Sequence, residues 1–140
     1  MKRTSVLLLL LVTAALPAAA QAGALPFQVT CFDKVATTGY SGTAAAEVIY
    51  GTAGDDVILG WGGDDVIYGM GGRDRICGGT GNDRIYGGTG GDLLNGDWGN
   101  DRVYGQTGND GYVLGGDGND VLLPGSGAMA FTATIEGGAG

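Results

Sequence analysis

The sequence predicts an all-β fold built from a short repeat, and three regularities within residues 47–123 predict it. An aspartate recurs every nine residues, with one ten-residue interval, at Asp56, Asp65, Asp74, Asp83, Asp92, Asp101, Asp110 and Asp120. Glycines stand five and two residues before every one of these aspartates. An apolar residue follows two positions after the aspartate, as at Ile58 and Ile67, which fits a short half-buried strand. Repeats of fixed length indicate a solenoid, in which each unit stacks on its neighbours.

The glycines indicate tight turns between these strands. When the unit is numbered so that aspartate is its sixth residue, glycine holds the first and fourth positions in all eight units. Ordering a glycine costs more backbone entropy than ordering any other residue, so fixed glycines imply backbone angles that other residues avoid. The second position is the loosest, and five units replace glycine there with Thr52, Trp61, Met70, Asp97 or Gln106.

With this numbering the units resemble the repeats-in-toxin, or haemolysin-type, calcium-binding nonapeptide G-G-x-G-x-D-x-U-x. The resemblance implies a parallel β-roll, which is a calcium-stabilised β-helix or solenoid, of about eight nonapeptide units with short N- and C-terminal caps. It also implies two units per coil, so that turns eighteen residues apart stack with calcium between them. The implied metal ligands are the eight aspartates, and four stacked turns on each edge leave room for about six calcium ions.

Calcium also suits this composition on physical grounds. It takes about six to eight oxygen ligands in flexible geometry, and turn carbonyls together with carboxylates supply them. One large apolar side chain per nine residues gives a thin core, which offsets little of the entropy lost when the turns become ordered. Eight stacked carboxylates without a counterion add a further cost. We therefore expect calcium binding to be coupled to folding.

The charge balance argues against other classes of function. The chain carries 15 acidic and 7 basic residues, for a net charge of −8, and has no basic patch. We therefore expect no nucleic-acid partner and no binding to an anionic membrane surface. Histidine is absent, which excludes histidine-based catalysis and histidine zinc sites. No serine or cysteine has a partner base, so the sequence predicts no enzyme activity and no catalytic residue.

Residues 1–22 have the features of a secretory signal peptide. Lys2 and Arg3 precede an apolar stretch over residues 6–16, which is too short to span a membrane as a helix. Ala22 ends a small-x-small cleavage site. We expect secretion with cleavage near Ala22 and an extracellular location, and the alternative is a retained anchor.

The segments that flank the repeats are interpreted as caps. Residues 23–46 lack the repeat and are predicted to form an N-terminal cap segment over the open end of the solenoid. The calcium-binding repeats over 47–123 begin with Glu47, where a glutamate replaces the aspartate. Over 124–140 the motif decays into a degenerate C-terminal repeat and tail, in which residues 131–135 are expected to form a closing strand.

One extra residue follows Asp110, within residues 111–114. A single inserted residue predicts a bulge in the strand that begins there. We expect this insertion to leave Asp120 poorly aligned with Asp101, the aspartate one coil earlier.

Cys31 and Cys77 are the two cysteines of a chain that is expected to be exported, and disulfides are the usual state of such cysteines. Cys77 holds the ninth position of its unit, which faces outward in a β-roll and gives a thiol little reason to be there. A disulfide to Cys31 in the cap segment would explain its position. Two free thiols, or a bridge between chains, are the alternatives.

Two outward rows follow from the eighteen-residue coil. Tyrosines recur at its ninth position, and we expect them to stack on one sheet about 4.8 Å apart beside Arg84 and Arg102. This row comprises Tyr50, Tyr68, Tyr86 and Tyr104. The other sheet carries an apolar outward set for the cap to cover, comprising Val57, Leu59, Cys77 and Leu93. We interpret the tyrosine row as a cross-strand ladder that stiffens its sheet, with a platform for an extracellular protein or glycan partner as the alternative.

These features together predict a secreted, non-catalytic calcium-binding β-roll. One alternative is an adhesive module that binds a partner or glycan through the tyrosine row. A second is an accessory module of an extracellular hydrolase, because repeats of this type accompany proteases and lipases. A third is ice binding, which needs a regular outward row. The third-position column is too irregular for that role: Ala53, Gly62, Gly71, Thr80, Thr89, Trp98, Thr107 and Asp117.

Overall fold

The computed structural model describes residues 31–32 and 41–127, which form nine short strands and no helix. The strands are β1 (Val48–Tyr50), β2 (Val57–Gly62), β3 (Val66–Tyr68), β4 (Arg75–Thr80), β5 (Arg84–Gly90), β6 (Leu93–Trp98), β7 (Arg102–Gly108), β8 (Tyr112–Asp117) and β9 (Val121–Leu123). Every strand except β8 begins directly after the acidic residue of its unit. In this part of the chain no helix is long and apolar enough to cross a membrane.

The strands alternate between two parallel sheets. One sheet has the order β1-β3-β5-β7-β9 and the other the order β2-β4-β6-β8. Partner residues lie eighteen positions apart, as in the pairs Ile49 with Ile67 and Ile58 with Ile76. Two nonapeptides therefore complete one coil, and the predicted all-β parallel β-roll is confirmed. The turns, each of which contains a repeat aspartate, lie along the two edges where the chain crosses between the sheets.

A single column of apolar side chains fills the space between the sheets. It consists of Ile58, Ile67, Ile76, Ile85, Leu94, Val103 and Val113, all buried, with Ile49 and Leu122 partly buried at its ends. Each is the apolar residue that the repeat pattern predicts to face inward. Burying one such side chain contributes about 1.5–3 kcal/mol, so one residue per strand gives a small apolar contribution for so many ordered turns.

The turns use left-handed backbone at two positions of the unit. The fourth-position glycines adopt it widely, and Gly90 and Gly99 both have φ of +138°. A Cβ on either glycine would collide with a backbone carbonyl oxygen of the preceding coil. Four of the five residues that replace the second glycine are also left-handed, with φ between +69° and +78°: Trp61, Met70, Asp97 and Gln106. Each of these four costs about 1–2 kcal/mol of backbone strain.

The extra residue after Asp110 produces the predicted bulge at the start of β8. The Gly111 N–H donates to the Asp92 carbonyl oxygen at 2.8 Å, but Tyr112 is the residue that pairs with Leu93. A Cβ on Gly111 would lie 2.7 Å from Leu93 Cδ2, so a larger residue there would require the Leu93 side chain to shift. From there the register continues at a nineteen-residue offset, with Val103 paired to Leu122.

Cys31 and Phe32 pack against the outer face of the four-stranded sheet, beside β2 and β4. Cys31 forms a disulfide with Cys77, with the two Cα atoms 5.6 Å apart, and the predicted pairing is confirmed. Cys31, Leu59 and Cys77 form a buried cluster against which Phe32 and Val57 pack. The predicted signal peptide, most of the predicted cap segment and the predicted closing strand lie outside the described residues.

The N-terminal end of the four-stranded sheet is extended by residues 41–43. Ser41 forms an isolated parallel bridge with Leu59, and the Gly42 N–H donates to the Leu59 carbonyl oxygen at 2.7 Å. The Gly62 N–H donates in turn to the Thr43 carbonyl oxygen at 3.0 Å. These bonds satisfy part of the exposed end of β2, as a capping segment of a solenoid must.

The tyrosine row forms the predicted ladder on the five-stranded sheet. The ring centroids of Tyr50, Tyr68, Tyr86 and Tyr104 lie 5.0, 4.9 and 4.8 Å apart in succession, with interplanar angles of 6–8°. Because the rings stack face to face, each inner ring covers the faces of its neighbours and leaves its edge and hydroxyl group outward. Tyr50, at the end of the row, is 56% exposed.

The disulfide is expected to stabilise the roll substantially. It closes a loop with a sequence separation of 46 residues, and the chain-entropy relation gives a loss of about 4 kcal/mol in the free energy of unfolding for the double variant Cys31→Ser/Cys77→Ser. Chemical denaturation in saturating calcium measures the loss. Intact mass after alkylation of the denatured parent should show no added label until a reductant is supplied, and two labels without reductant would contradict the bond.

Candidate metal centre

The repeat aspartates form two hydrogen-bonded stacks, one along each edge of the roll. In every rung the backbone N–H of one aspartate donates to Oδ1 of the aspartate in the next coil, at 2.8–3.1 Å. The Asp65 edge contains Asp65, Asp83, Asp101 and Asp120, and Glu47 donates in the same way to Asp65. The Asp56 edge contains Asp56, Asp74, Asp92 and Asp110. All eight predicted ligands therefore fall into two stacks of four.

The second carboxylate oxygen is buried and unpartnered in most of these residues. In the described part of the chain no hydrogen bond reaches Oδ2 of Asp65, Asp74, Asp83, Asp92, Asp101 or Asp110. A buried carboxylate oxygen without a partner costs more than a neutral group would, because the charge has lost its water. Each stack thus presents a row of buried carboxylate oxygen atoms that accept no hydrogen bond from the described residues.

The first glycine of each unit makes room for this oxygen. A Cβ on Gly60 would lie 2.8 Å from Asp65 Oδ2, and one on Gly87 would lie 2.6 Å from Asp92 Oδ2. The first glycines are not left-handed, unlike those at the fourth position. A Cβ on Gly60 would come even closer to the Gly78 carbonyl oxygen of the next coil. The constancy of the first glycines along this sequence therefore reflects close approach by the carboxylate and by the backbone of the next coil, and not a special backbone angle.

Asp56 differs from the other members of its stack. Its Oδ2 accepts the Thr52 N–H at 2.6 Å and the Thr52 hydroxyl at 2.9 Å. Glu47 is held in a similar way, since its carboxylate accepts the Thr43 N–H at 2.7 Å and the Thr43 hydroxyl at 3.1 Å. The first turn on each edge is thus satisfied by a threonine of the same turn. Repeat spacing alone did not distinguish Asp56 from the others, although Thr52 at a glycine position was a visible signal.

The expectation that the insertion displaces Asp120 is wrong. The Asp101 N–H donates to Asp120 Oδ1 at 2.9 Å, which matches the other rungs. The bulge at Gly111 absorbs the extra residue within the coil, so the following turn returns to its place in the stack. Asp120 is only half-buried because it is the last aspartate of its edge.

The oxygen atoms of the turns suit a hard metal cation that takes some of its ligands from backbone carbonyl groups. In residues 31–32 and 41–127 no three His, Cys, Asp or Glu side chains converge on one point, so side chains alone cannot enclose a metal ion. Each turn offers one carboxylate oxygen next to glycine-rich backbone, whose carbonyl oxygens are neutral donors. Calcium accepts such mixed oxygen shells, whereas zinc prefers nitrogen and sulfur ligands.

Burial raises the pKa of the stacked carboxyls. It raises the pKa of Asp65 to about 6 and the pKa values of Asp74 and Asp101 to about 7, and it also raises those of Asp83 and Asp92. The backbone N–H donated to each carboxylate lowers its pKa by less than burial raises it. Carboxylates in the same stack raise the pKa further, as Asp83 does for Asp65. Stacked aspartates are therefore hard to ionise together without a cation.

A second ladder runs beside the Asp65 stack, and the sequence reasoning missed it. The Asn82 N–H donates to Asp64 Oδ1 at 2.8 Å, the Asn100 N–H to Asn82 Oδ1 at 3.0 Å, and the Asn119 N–H to Asn100 Oδ1 at 2.9 Å. We call Asp64, Asn82, Asn100 and Asn119 the amide ladder. Its signal was present in the sequence as amide residues at the fifth position of every second unit.

Without calcium, the roll is expected to be more stable at pH 5 than at pH 8. The folded-state pKa values of Asp65, Asp74 and Asp101 lie above the ordinary 3.8, so the folded chain binds more protons than the unfolded chain. The resulting stability is fully present below about pH 4 and is lost as the pH rises through about 6 to 7. Circular dichroism of the calcium-stripped chain without denaturant, recorded between pH 4 and pH 8, measures this dependence as the fraction of chain that is folded.

The matched variant for this measurement is Asp74→Asn, because asparagine resembles the neutral acid. In the absence of calcium at pH 8 this variant should be more stable than the parent chain, and its stability should depend less on pH. A calcium-stripped parent chain whose stability increased from pH 5 to pH 8 would contradict the prediction.

The same residues match a known sequence family. The family described as RTX calcium-binding nonapeptide repeat (4 copies) matches residues 41–76, 78–112 and 112–128, which together make up more than half of the chain. No match is found among curated proteins or among solved structures. The matched segments include both aspartate stacks and the turns that contain them. The chain therefore belongs to the RTX calcium-binding nonapeptide repeat family.

Proposed function

We propose that this protein is a secreted calcium-binding β-roll without catalytic activity, whose folding is coupled to the binding of several calcium ions. The eight aspartates of the two edges act as the carboxylate ligands, and turn carbonyls complete the shells. The observation that carries the proposal is the set of six buried Oδ2 atoms without a partner, aligned in two stacks. With four aspartates on each edge, the stacks contain three gaps per edge, or about six calcium sites.

Coupling to folding follows from the energetics of the stacks. The apolar column has one residue per strand, and four turn residues are strained at the second position. Unpaired carboxylates add a penalty that the N–H donors offset only in part. A divalent cation between two turns would interact favourably with these carboxylates and so remove the penalty of leaving them unpaired. The cation can do this only when the turns are stacked, that is, when the chain is folded. Calcium that binds the folded chain alone contributes its binding free energy to stability.

We also propose that the protein has no catalytic activity and that it is secreted. Histidine is absent from the chain, and seven of the eight stacked aspartates already accept a backbone N–H at Oδ1, while Asp56 accepts one at Oδ2, which leaves these carboxylates poorly placed for acid–base chemistry. The basic and apolar start of the chain supports export, and so does the disulfide, which oxidising compartments favour. An extracellular location also supplies calcium at the concentrations that extracellular modules use.

The tyrosine row is better explained as a structural ladder than as a glycan platform. Sugar rings pack against the open faces of aromatic rings, but the inner tyrosines use both faces in stacking on each other. Such cross-strand aromatic pairs contribute about 0.2–1 kcal/mol each. The tyrosine row therefore gives no specific support to an adhesive role. It gives none to a role as the accessory module of a hydrolase either.

Calcium is expected to drive folding of the mature chain. In chelator at pH 8 circular dichroism should show a largely unfolded chain, and millimolar calcium should produce a β-sheet spectrum. Magnesium at the same concentration should not replace calcium, because it requires a tighter octahedral shell and retains its waters. An equally structured chain in chelator and in calcium at pH 8 would refute the coupling.

Substitutions within one stack should have effects that depend on position. Asp83 lies between Asp65 and Asp101 and borders two gaps, whereas Asp120 ends the stack and borders one. Asp83→Asn should therefore raise the calcium midpoint for folding by about tenfold, and Asp120→Asn should raise it clearly less. Calcium titrations followed by circular dichroism compare the two. Equal midpoints for the two variants would contradict ligation between stacked turns.

A further inference from the structure

We propose that the two edges of the roll bind calcium with different affinities: the Asp65 edge fills first, and Arg73 and Gly91 weaken the Asp56 edge. This inference rests on the proposed function, because it assigns an order to the same calcium sites. It comes from the residues at the fifth position of each unit, directly before the aspartates. These residues differ between the edges, whereas the aspartate stacks are alike.

On the Asp65 edge, the amide ladder crosses every gap between stacked aspartates. Its rungs join Asp64 to Asn82, Asn82 to Asn100 and Asn100 to Asn119. The Asn82 and Asn100 side-chain amides also donate to the preceding rung at 3.2 Å. The amide ladder runs opposite to the aspartate stack, since here an N–H donates to a side chain of the preceding coil. Each gap on this edge is thus bridged by hydrogen bonds in both directions.

On the Asp56 edge, the equivalent column reads Asp55, Arg73, Gly91 and Asn109. Its first rung exists, because the Arg73 N–H donates to Asp55 Oδ1 at 2.7 Å. The next two rungs cannot form in this way. A guanidinium group has no acceptor for the Gly91 N–H, and Gly91 has no side chain to accept the Asn109 N–H. Two of the three gaps on this edge therefore have no fifth-position side chain that can accept the backbone N–H of the next coil.

The same positions leave this edge open to solvent. A hollow of about 710 Å³ lies there, and its lining includes Asp55, Arg73, Arg75, Gly91, Asn109 and Gly111. Gly91 contributes no side chain at the position where the Asp65 edge has an amide group, and Gly111 contributes none directly after Asp110. Turns that are held less firmly before calcium arrives lose more freedom when they bind it, which lowers affinity.

Charge acts in the same direction. Beyond the stacked aspartates, the turns of the Asp65 edge contain four carboxylates, from Glu47, Asp64, Asp97 and Asp117, and two arginines follow its aspartates. The Asp56 edge has one further carboxylate, from Asp55, together with Arg73 and Arg75. A cation beside a gap repels calcium, and Arg73 stands directly before Asp74. The turns of the Asp56 edge are therefore joined by fewer side-chain hydrogen bonds than those of the Asp65 edge, and they carry less negative charge.

Native mass spectrometry of the full chain with its disulfide intact, titrated with calcium, counts the ions bound at each concentration. We expect a species with about three ions to accumulate before the chain loads further. Asp83→Asn should reduce loading of this first group, whereas Asp92→Asn should leave the first group intact and reduce the second. No calcium binding at all would refute the proposed function. Full loading without an intermediate, or equal loss of the first group in both variants, would overturn this inference alone.

Variants of Arg73 separate the amide bridge from the charge. Arg73→Asn supplies an acceptor for the Gly91 N–H and removes a cation, so it should lower the calcium concentration for the second group by about fivefold. Arg73→Ala removes only the cation and should lower it by about twofold. Arg75→Asn is the matched control, because it removes the same charge outside the fifth-position column, and it should resemble Arg73→Ala. Equal effects of all three variants would overturn the role of the bridge, and no effect of any would overturn the inference.

Discussion

The hydrogen bond from an aspartate N–H to the carboxylate one coil further on is the constraint on which the rest of the structure depends. It sets the offset between neighbouring turns, and the strand register and the alignment of the isoleucine column follow from that offset. It also occupies Oδ1 and places Oδ2 against the first glycine of its own turn. A charge-assisted hydrogen bond of this kind contributes about 1.5–3 kcal/mol, less than the cost of a buried charge that has no counterion. The geometry that builds the stack therefore also creates its need for a cation.

The left-handed backbone of the turns adds a second unfavourable contribution to the free energy of folding, and its size differs between units. Glycine occupies most left-handed positions, but Trp61, Met70, Asp97 and Gln106 adopt the same conformation with a side chain. Thr52 at the equivalent position avoids it and instead donates to Asp56 Oδ2. Replacing glycine at the second position of the unit therefore has two outcomes. It strains the backbone in the interior units, and at the first turn it supplies a hydrogen-bond donor to the aspartate of the same turn. The interior units depend more on an external ligand than the first turn does.

The sequence was sufficient to predict the coil, the inward column and the tyrosine ladder, because a strict period converts sequence spacing into position. The disulfide was predicted from the expected export of the chain and the outward position of Cys77. It was insufficient where one residue changes local geometry. The insertion after Asp110 predicted a shifted Asp120, but the bulge at Gly111 absorbs the extra residue and Asp120 keeps its place in the stack. The amide ladder was missed because a polar residue before an aspartate reads as an exposed turn residue. Its partner lies eighteen positions away and becomes visible only in the folded coil.

The disulfide makes the two ends of the roll unequal. Cys77 lies in β4, so the covalent loop that starts at Cys31 encloses β1 to β4, while β5 to β9 are held by noncovalent contacts alone. We expect the coils beyond this loop to separate first as calcium is withdrawn, because no cross-link connects them to the enclosed coils. We expect the enclosed coils to re-form first as calcium returns, because the disulfide keeps their ends together and later turns can add to an existing stack. The end of the roll at which coils are lost and regained is then the C-terminal one.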